Sequence, residues 1–306
     1  MGILLGANQT PHFPIVIFTL SFAKPYPAMM IPGPSSRKPK VYQMSDPQVL
    51  FDVSDHIATI TLNRPEVMNA LAGDMRDVLL RHLQDCAAHP DVRCIVITGA
   101  GKAFCAGGDI EAMAAKQDLG DISEMGGTLV TVEAVVNLLH SIPKPVIAAV
   151  NGAAAGGGMN MALACDMRLG CEKTLFSESF VKIGLIPDWG GFGSLTALVG
   201  GAKAMELMMT GDRVRAEEAY RLGLLNQLYP METFRDDVRA FAKALADGPP
   251  QALATIKRGV YAAANASLAD VLAFEHKNQL KLILSDDSKE GMRAFLEKRA
   301  PKFGLG

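Results

Sequence analysis

Three consecutive glycines, Gly156 to Gly158, follow a hydrophobic strand, PVIAAV (145–150), and the turn Asn151-Gly152. They open onto a run that reads as a helix, Met159 to Ala164. Glycines are expected where the backbone turns with positive φ or lets something approach closely. A helix start leaves N–H groups without partners and points the positive end of the helix dipole at one place. The stretch is therefore a site for negative charge or, read structurally, a tight strand-to-helix turn with close packing. A second glycine loop, Ala106-Gly107-Gly108-Asp109, follows another apolar strand, VRCIVIT (92–98). If both strands lie in one spiral of sheet, the two loops can each offer an N–H to a single oxygen. Two backbone donors on one oxygen make an oxyanion hole, which stabilises an enolate or a tetrahedral anion.

Other phosphate and nucleophile chemistries lack their residues. There is no G-x-x-x-x-G-K-[ST], no G-x-G-x-x-G after a strand, and no G-x-S-x-G elbow. The six histidines show no ligand spacing and no H-E-x-x-H occurs, so no metal is expected. Five cysteines, Cys86, Cys94, Cys105, Cys165 and Cys171, are odd in number and form no C-x-x-C. They read as buried, reduced thiols of a cytoplasmic protein. Of 306 residues, 49% are apolar and 20% charged, enough to bury a sizeable core. The net charge of −2 gives no reason to expect nucleic acid as a partner.

The elements that must hold these loops follow from periodicity. Residues 1–43 are rich in proline, with one apolar run (15–20) too short to span a bilayer, and are expected to be a disordered extension. VLFDV (49–53) and HIATITL (56–62) predict a hairpin across Ser54-Asp55. Met75, Val78, Leu79, Leu83 and Cys86 share one helical face, with Asp74 placed to cap it. A long helix is expected from about 122 to 140, then short strands at 166–170 and 174–177. The order predicts an α/β core over 44–200 with crossover helices. From 201 to 306 strands are scarce, and helices are predicted at 201–209, 215–222, 232–246, 250–264, 267–284 and 286–298.

The segments LNRPEVMNAL (62–71), KAFCAGGDI (102–110), KPVIAAVNGAAAGGGMNMALACD (144–166), IGLIPDWGG (183–191), MMTGDRV (208–214) and EGMRAFLEKR (290–299) resemble the crotonase superfamily, the enoyl-CoA hydratase/isomerase family. The resemblance spans about residues 46–300. It implies a spiral of repeated ββα units with a C-terminal helical region, trimers or hexamers made of two trimers, and CoA thioester substrates. Coenzyme A would arrive as part of the substrate, with no permanently bound cofactor and no membrane partner. Gly108 and Gly157 match the family's oxyanion donors. A hydratase of the family carries two glutamates, and in this chain those places hold Asn160 and Phe180, neither of which moves a proton. Glu178 stands two residues before Phe180 and could face the same side if it lies on a strand.

By the same resemblance Asp188 is the remaining acid/base candidate. Isomerases of the family carry an aspartate there, and FVKIGLIPDWGG (180–191) is similar to the ring isomerases of phenylacetate breakdown, which also carry asparagine at the Asn160 place. The structural alternative for Asp188 is an N-cap of the following helix. Trp189 and the apolar flank would desolvate it and raise its pKa. The resemblance also places Ala106, Asp109 and Ile110 along the adenine and pantetheine path. Phe295 and Lys298 match C-terminal residues that reach CoA, often across a subunit boundary; otherwise they are helix packing and a solvated charge. Trp189 and Phe180 would line an apolar or aromatic acyl pocket. The expected activity is an enoyl-CoA isomerase using Asp188. The alternatives are hydration or another crotonase reaction with an unusual base, or a catalytically silent CoA-binding member.

Overall fold

The structure is a computed structural model, and residues 48–118 and 123–304 are described. The expected extension, 1–43, lies outside the described residues. Strands β1 (Val49–Ser54) and β2 (Ile57–Leu62) pair antiparallel, Ser54 opposite Ile57. Asp55 and His56 both take positive φ, 51° and 66°, the double left-handed turn that matches strand twist. Helix α1 (Met75–Ala88) buries Met75, Val78, Leu79, Leu83 and Cys86, the face its 3.6-residue spacing predicts. Asp74 stands at its N-cap but makes no side-chain cap bond.

A repeating unit follows. β3 (Cys94–Gly99) and β4 (Ala103–Cys105) precede α2 (Ile110–Asp118) and α3 (Ser123–Ser141). β5 (Val146–Val150) and β6 (Ala153–Ala155) precede α4 (Gly157–Leu163). β7 (Met167–Cys171) and β8 (Leu175–Ser177) precede α5 (Gly191–Thr210). In each unit the first strand joins a six-stranded sheet, β1-β2-β3-β5-β7-β10, and the second joins a four-stranded sheet, β4-β6-β8-β9. This is the ββα spiral expected from the family resemblance.

The C-terminal part adds β9 (Arg213–Arg215), α6 (Ala216–Arg221), β10 (Gln227–Tyr229), α7 (Phe234–Ala246), α8 (Pro250–Ala263), α9 (Leu268–Leu282) and α10 (Asp286–Glu297). Two differences from the sequence reading stand out. The helix expected at 201–209 is the second half of α5, bent at Gly200 (φ 77°). The three-residue strands β9 and β10 lie in the region read as helical, and both extend the sheets. So short a strand carries too little period to announce itself.

Strand alternation explains the core. Ile95 and Ile97 of β3, with Val146, Ala148 and Val150 of β5, face one apolar cluster with α1, α3 and α4. Cys94, Val96, Ile147 and Ala149 point the other way, against Phe234, Val238, Ala242 and Ala246 of α7. All five thiols are free and buried. α8 is tied to this core by charge. Lys257 Nζ pairs with Asp166 at 2.8 Å and donates to Leu139 O at 2.6 Å and Lys144 O at 3.1 Å. Tyr261 OH donates to the other oxygen of Asp166 at 2.9 Å. Among the described residues no helix is long and apolar enough to cross a membrane.

Candidate active site

Three parallel strands of the small sheet end side by side. β4 leads into Gly107-Gly108, β6 into Gly156-Gly157, and β8 into Glu178. Ala155 pairs with Ser177, and Gly156 N–H donates to Ser177 O at 2.9 Å, so the last two exits are adjacent. The two glycine loops also touch. A Cβ on Gly107 (φ 92°) would stand 2.7 Å from Ala155 O and 3.3 Å from Gly157 N.

Neither Gly108 nor Gly157 uses its N–H in secondary structure. Gly157 is the first residue of α4, where no intrahelical acceptor exists. Gly108 bridges Leu71, but the bonds go to its neighbours: Leu71 N–H donates to Gly107 O at 2.7 Å and Asp109 N–H to Leu71 O at 3.3 Å. That pattern turns the Gly108 N–H away from Leu71. Asn69 fixes the loop beneath. It is fully buried with φ 57°, and its amide donates to Ala103 O at 2.8 Å and Phe104 O at 3.1 Å.

After β8 a 3-10 turn, Ser179–Ile183, carries the chain out, and it returns at Asp188-Trp189. A Cβ on Gly157 would stand 3.0 Å from Trp189 Nε1 and 3.5 Å from Asp188 Oδ1. Asp188 Oδ1 is buried and has no hydrogen-bond partner among the described residues. The side chain does not cap α5, whose N-cap is Gly190; only the Asp188 carbonyl is used, by Gly191 N–H at 3.0 Å. Burial pushes the Asp188 carboxyl up to about 6, against the pull of the Arg76 guanidinium and a bond from its own backbone.

Asn160 of α4 sits between two carboxyl-bearing segments. Its Nδ2 donates to Asp188 O at 3.0 Å and reaches Glu178 Oε2 at 3.5 Å, while its Oδ1 is buried without a partner. The first residue of α5 presses on this amide: a Cβ on Gly191 would lie 2.2 Å from Asn160 Nδ2, so only glycine fits. Glu178 is 1% exposed, and its Oε1 is also unpartnered. Burial pushes its carboxyl up to about 7, opposed by the Asn160 amide and reinforced by the Asp188 charge.

The structure thus brings Gly108, Gly157, Asn160, Asp188 and Trp189 together. Phe180 packs its ring 3.7 Å from where a Gly156 Cβ would be. Ala106 donates to Met68 O, and Asp109 pairs with Arg64 at 3.4 Å and accepts from Ala112 N–H at the start of α2. Ile110 is half exposed. Phe295 is 83% exposed on α10 and Lys298 ends that helix, with no bond or ring contact from either to the glycine loops.

Arg76 and Met113 were not singled out from sequence. Arg76 donates to Leu71 O at 3.1 Å and faces Asp188, with its Nε buried and unpartnered. A signal existed: a cation in the first turn of α1 opposes the helix dipole, so it needs a partner elsewhere. Met113 Sδ would be 3.1 Å from a Cβ on Gly108; a lone methionine on a short helix carries no such signal.

Gly158→Ala tests how these loops are held. Its Cβ would lie 2.2 Å from Cys105 O, so α4 and β4 must separate. The expected loss is about 1–3 kcal/mol or more in urea unfolding, with lower turnover in the remaining folded enzyme.

The architecture defines the class, a two-sheet ββα spiral with glycine loops at neighbouring strand ends. The family model described as Enoyl-CoA hydratase/isomerase matches residues 52–305. The chain belongs to that family, in the crotonase superfamily. It is 42% identical over 265 residues to a Rhodobacter capsulatus protein named as a probable enoyl-CoA hydratase, covering 85% of this chain and 99% of the relative. It is 36% identical to the 1,2-epoxyphenylacetyl-CoA isomerase of Escherichia coli, covering 83% of this chain and 97% of the relative. A solved enoyl-CoA hydratase from Polaromonas superposes with a TM-score of 0.79 at 33% identity, over 84% of this chain and 99% of that one.

Proposed function

We propose that this protein is an enoyl-CoA isomerase that moves a proton through an enolate, with Asp188 as the acid/base. The observation that carries the reading is Asp188 Oδ1, buried and partnerless 3.5 Å from the Cβ position of Gly157. The N–H groups of Gly108 and Gly157 hold the thioester oxygen; loss of one such donor typically costs roughly 3–4 kcal/mol of barrier. Asp188 removes a proton α or γ to the carbonyl, the dienolate forms, and the proton returns at another carbon. Asn160 fills the place of a water-activating glutamate, and its amide is engaged with the Asp188 backbone.

Coenzyme A arrives with the substrate, and no permanently bound cofactor is required. Ala106, Asp109 and Ile110 flank its path, and Phe180 and Trp189 wall an apolar or aromatic acyl group. Phe295 and Lys298 serve the site of a neighbouring copy in a homotrimer or hexamer. Leu268 and Leu272 of α9, Leu284 between α9 and α10, and Leu296 of α10 are exposed, as such an assembly would use. The five free, buried thiols support a cytoplasmic setting.

A second reading, hydration of a 2-enoyl-CoA, is favoured by the second carboxyl that Glu178 brings to the site. An assay panel of 2-enoyl-, 3-enoyl- and dienoyl-CoA followed by mass spectrometry separates the two. Isomerisation conserves substrate mass and is the expected outcome. A gain equal to one water on 2-enoyl-CoA, without double-bond movement, overturns it.

A further inference from the structure

We propose that Glu178 is a positioning residue for this site: a buried acid that keeps its proton beside Asp188 through Asn160, so that Asp188 alone acts as the base. The inference rests on the isomerase reading above and deepens it.

Topology puts Glu178 there. It is the first residue past β8, and the pairing of Ala155 with Ser177 sets it beside Gly156, at the third of three neighbouring strand exits. It is 1% exposed, so its carboxyl is part of the site's interior and not of its rim. Each of three side chains has a buried oxygen with no donor among the described residues: Glu178 Oε1, Asn160 Oδ1 and Asp188 Oδ1. The one amide group between them, Asn160 Nδ2, is divided between Asp188 O and Glu178 Oε2. Two ionised carboxylates in such surroundings repel each other and leave every orphan oxygen an acceptor. A proton kept on one of them removes the repulsion and supplies a donor.

The surrounding charges decide which acid keeps it. Arg76 from α1 faces Asp188 and favours its ionised form. Among the described residues no cation acts on Glu178; it feels the Asn160 amide from α4 and the negative charge of Asp188 from the segment before α5. Cys105, from the end of β4, is pushed up to about 12 by burial and stays neutral. Lys182 on the same 3-10 turn and Arg213, across from Ser177 on β9, are exposed to solvent. The proton therefore belongs to Glu178. The two carboxyls, at about 6 and about 7, order the same way.

A pH consequence follows. Below about 6 Asp188 is protonated and cannot act as base. Above about 7 Glu178 ionises and sets a second negative charge next to the forming enolate. Turnover should rise and then fall, with an alkaline limb of about tenfold per pH unit.

Glu178→Gln, an isostere of the protonated acid, is the test. The expected variant keeps near-wild-type kcat at pH 6.5 and loses the alkaline fall, while a merely structural role would leave the shape of the profile unchanged. An alkaline limb that persists overturns the proposal. So does loss of turnover at every pH in a folded variant, which would make Glu178 a direct proton donor. A readout independent of activity is the infrared carbonyl band of a protonated carboxylic acid at pH 6.5. It should be strong in wild type, much weaker in Glu178→Gln, where only the minor protonated fraction of Asp188 remains, and strong in Asp188→Asn. The reverse assignment overturns the proposal, and so does its absence from Asp188→Asn should Glu178→Gln not fold. Failure of the isomerase reading looks different: wild type would then add water to 2-enoyl-CoA, or Asp188→Asn would keep wild-type turnover, whatever Glu178 does.

Discussion

Asp188→Asn is expected to lower isomerase turnover by about a hundred- to ten-thousand-fold, the usual weight of a positioned acid/base, with the dissociation constant of the CoA thioester unchanged. Asparagine keeps the shape that packs near Gly157 and Trp189 but cannot accept a proton. Two measurements check this: steady-state turnover of a 3-enoyl-CoA, and exchange of solvent deuterium into its reactive carbons. Both should collapse together. Undiminished exchange removes Asp188 from the mechanism.

The same variant should not lose stability at neutral pH. Burial raises the Asp188 carboxyl from 3.8 to about 6, so ionising it costs the folded state more than the unfolded chain. That cost is absent below about pH 4 and fully present above about pH 6. Glu178 adds a cost of the same sign, spread between about 4.5 and about 7. Wild-type stability should therefore contain a component that falls as pH rises from about 4 to 7. Asn at position 188 removes part of it, and a melting temperature at pH 7.5 no lower than wild type is expected. A carboxyl held against its own solvation at the proposed site costs stability, and removing it would trade the proposed activity for stability.

What the sequence made legible follows physical period and glycine content. The face of α1 was readable because five apolar residues recur at helical spacing, and all five are buried. The two glycine loops were readable because glycine at a helix start or a close crossing has few substitutes; their contact, Gly107 against Gly157, is set by strands whose neighbourhood no local pattern records. β4, β6, β8, β9 and β10 have only three residues each, and β6 is Ala-Ala-Ala, a poor strand former. The large sheet's neighbours impose those pairings. Asp188 was legible through the family resemblance. The exclusion of capping required the structure, where Gly190 is the N-cap and the Asp188 side chain makes no cap bond. Glu178 was visible only as a conditional candidate, because its burial depends on where β8 ends. Asn160 was read as the absence of a glutamate, and its positive role, an amide shared between two acids, is a tertiary fact.

Lys257→Met carries the second large effect, and it concerns how the helical C-terminal part stays on the core. The Lys257 ammonium and the Asp166 carboxylate are 8% and 13% exposed and 2.8 Å apart. Burial lowers the Lys257 pKa, and Asp166 is the first charge that restores it. Removing the lysine strands a buried carboxylate and leaves the carbonyls of Leu139 and Lys144 without this donor. Val146 N–H and Tyr261 OH still reach Asp166, so some compensation remains. Breaking one side of a buried pair typically costs about 3–5 kcal/mol, read here as a lower urea midpoint. Asp166→Asn in the same chain removes the stranded charge while keeping an acceptor for Val146 N–H. The double variant should therefore recover more than half of the loss. Equal stability of single and double variants would mean that the cost lies in the two carbonyls and in packing, not in the charge. Turnover of the folded single variant, measured well below its melting temperature, should stay within about twofold of wild type. Lys257 reaches Asp166 at the start of β7, while the chemistry proposed here sits at the far ends of β4, β6 and β8.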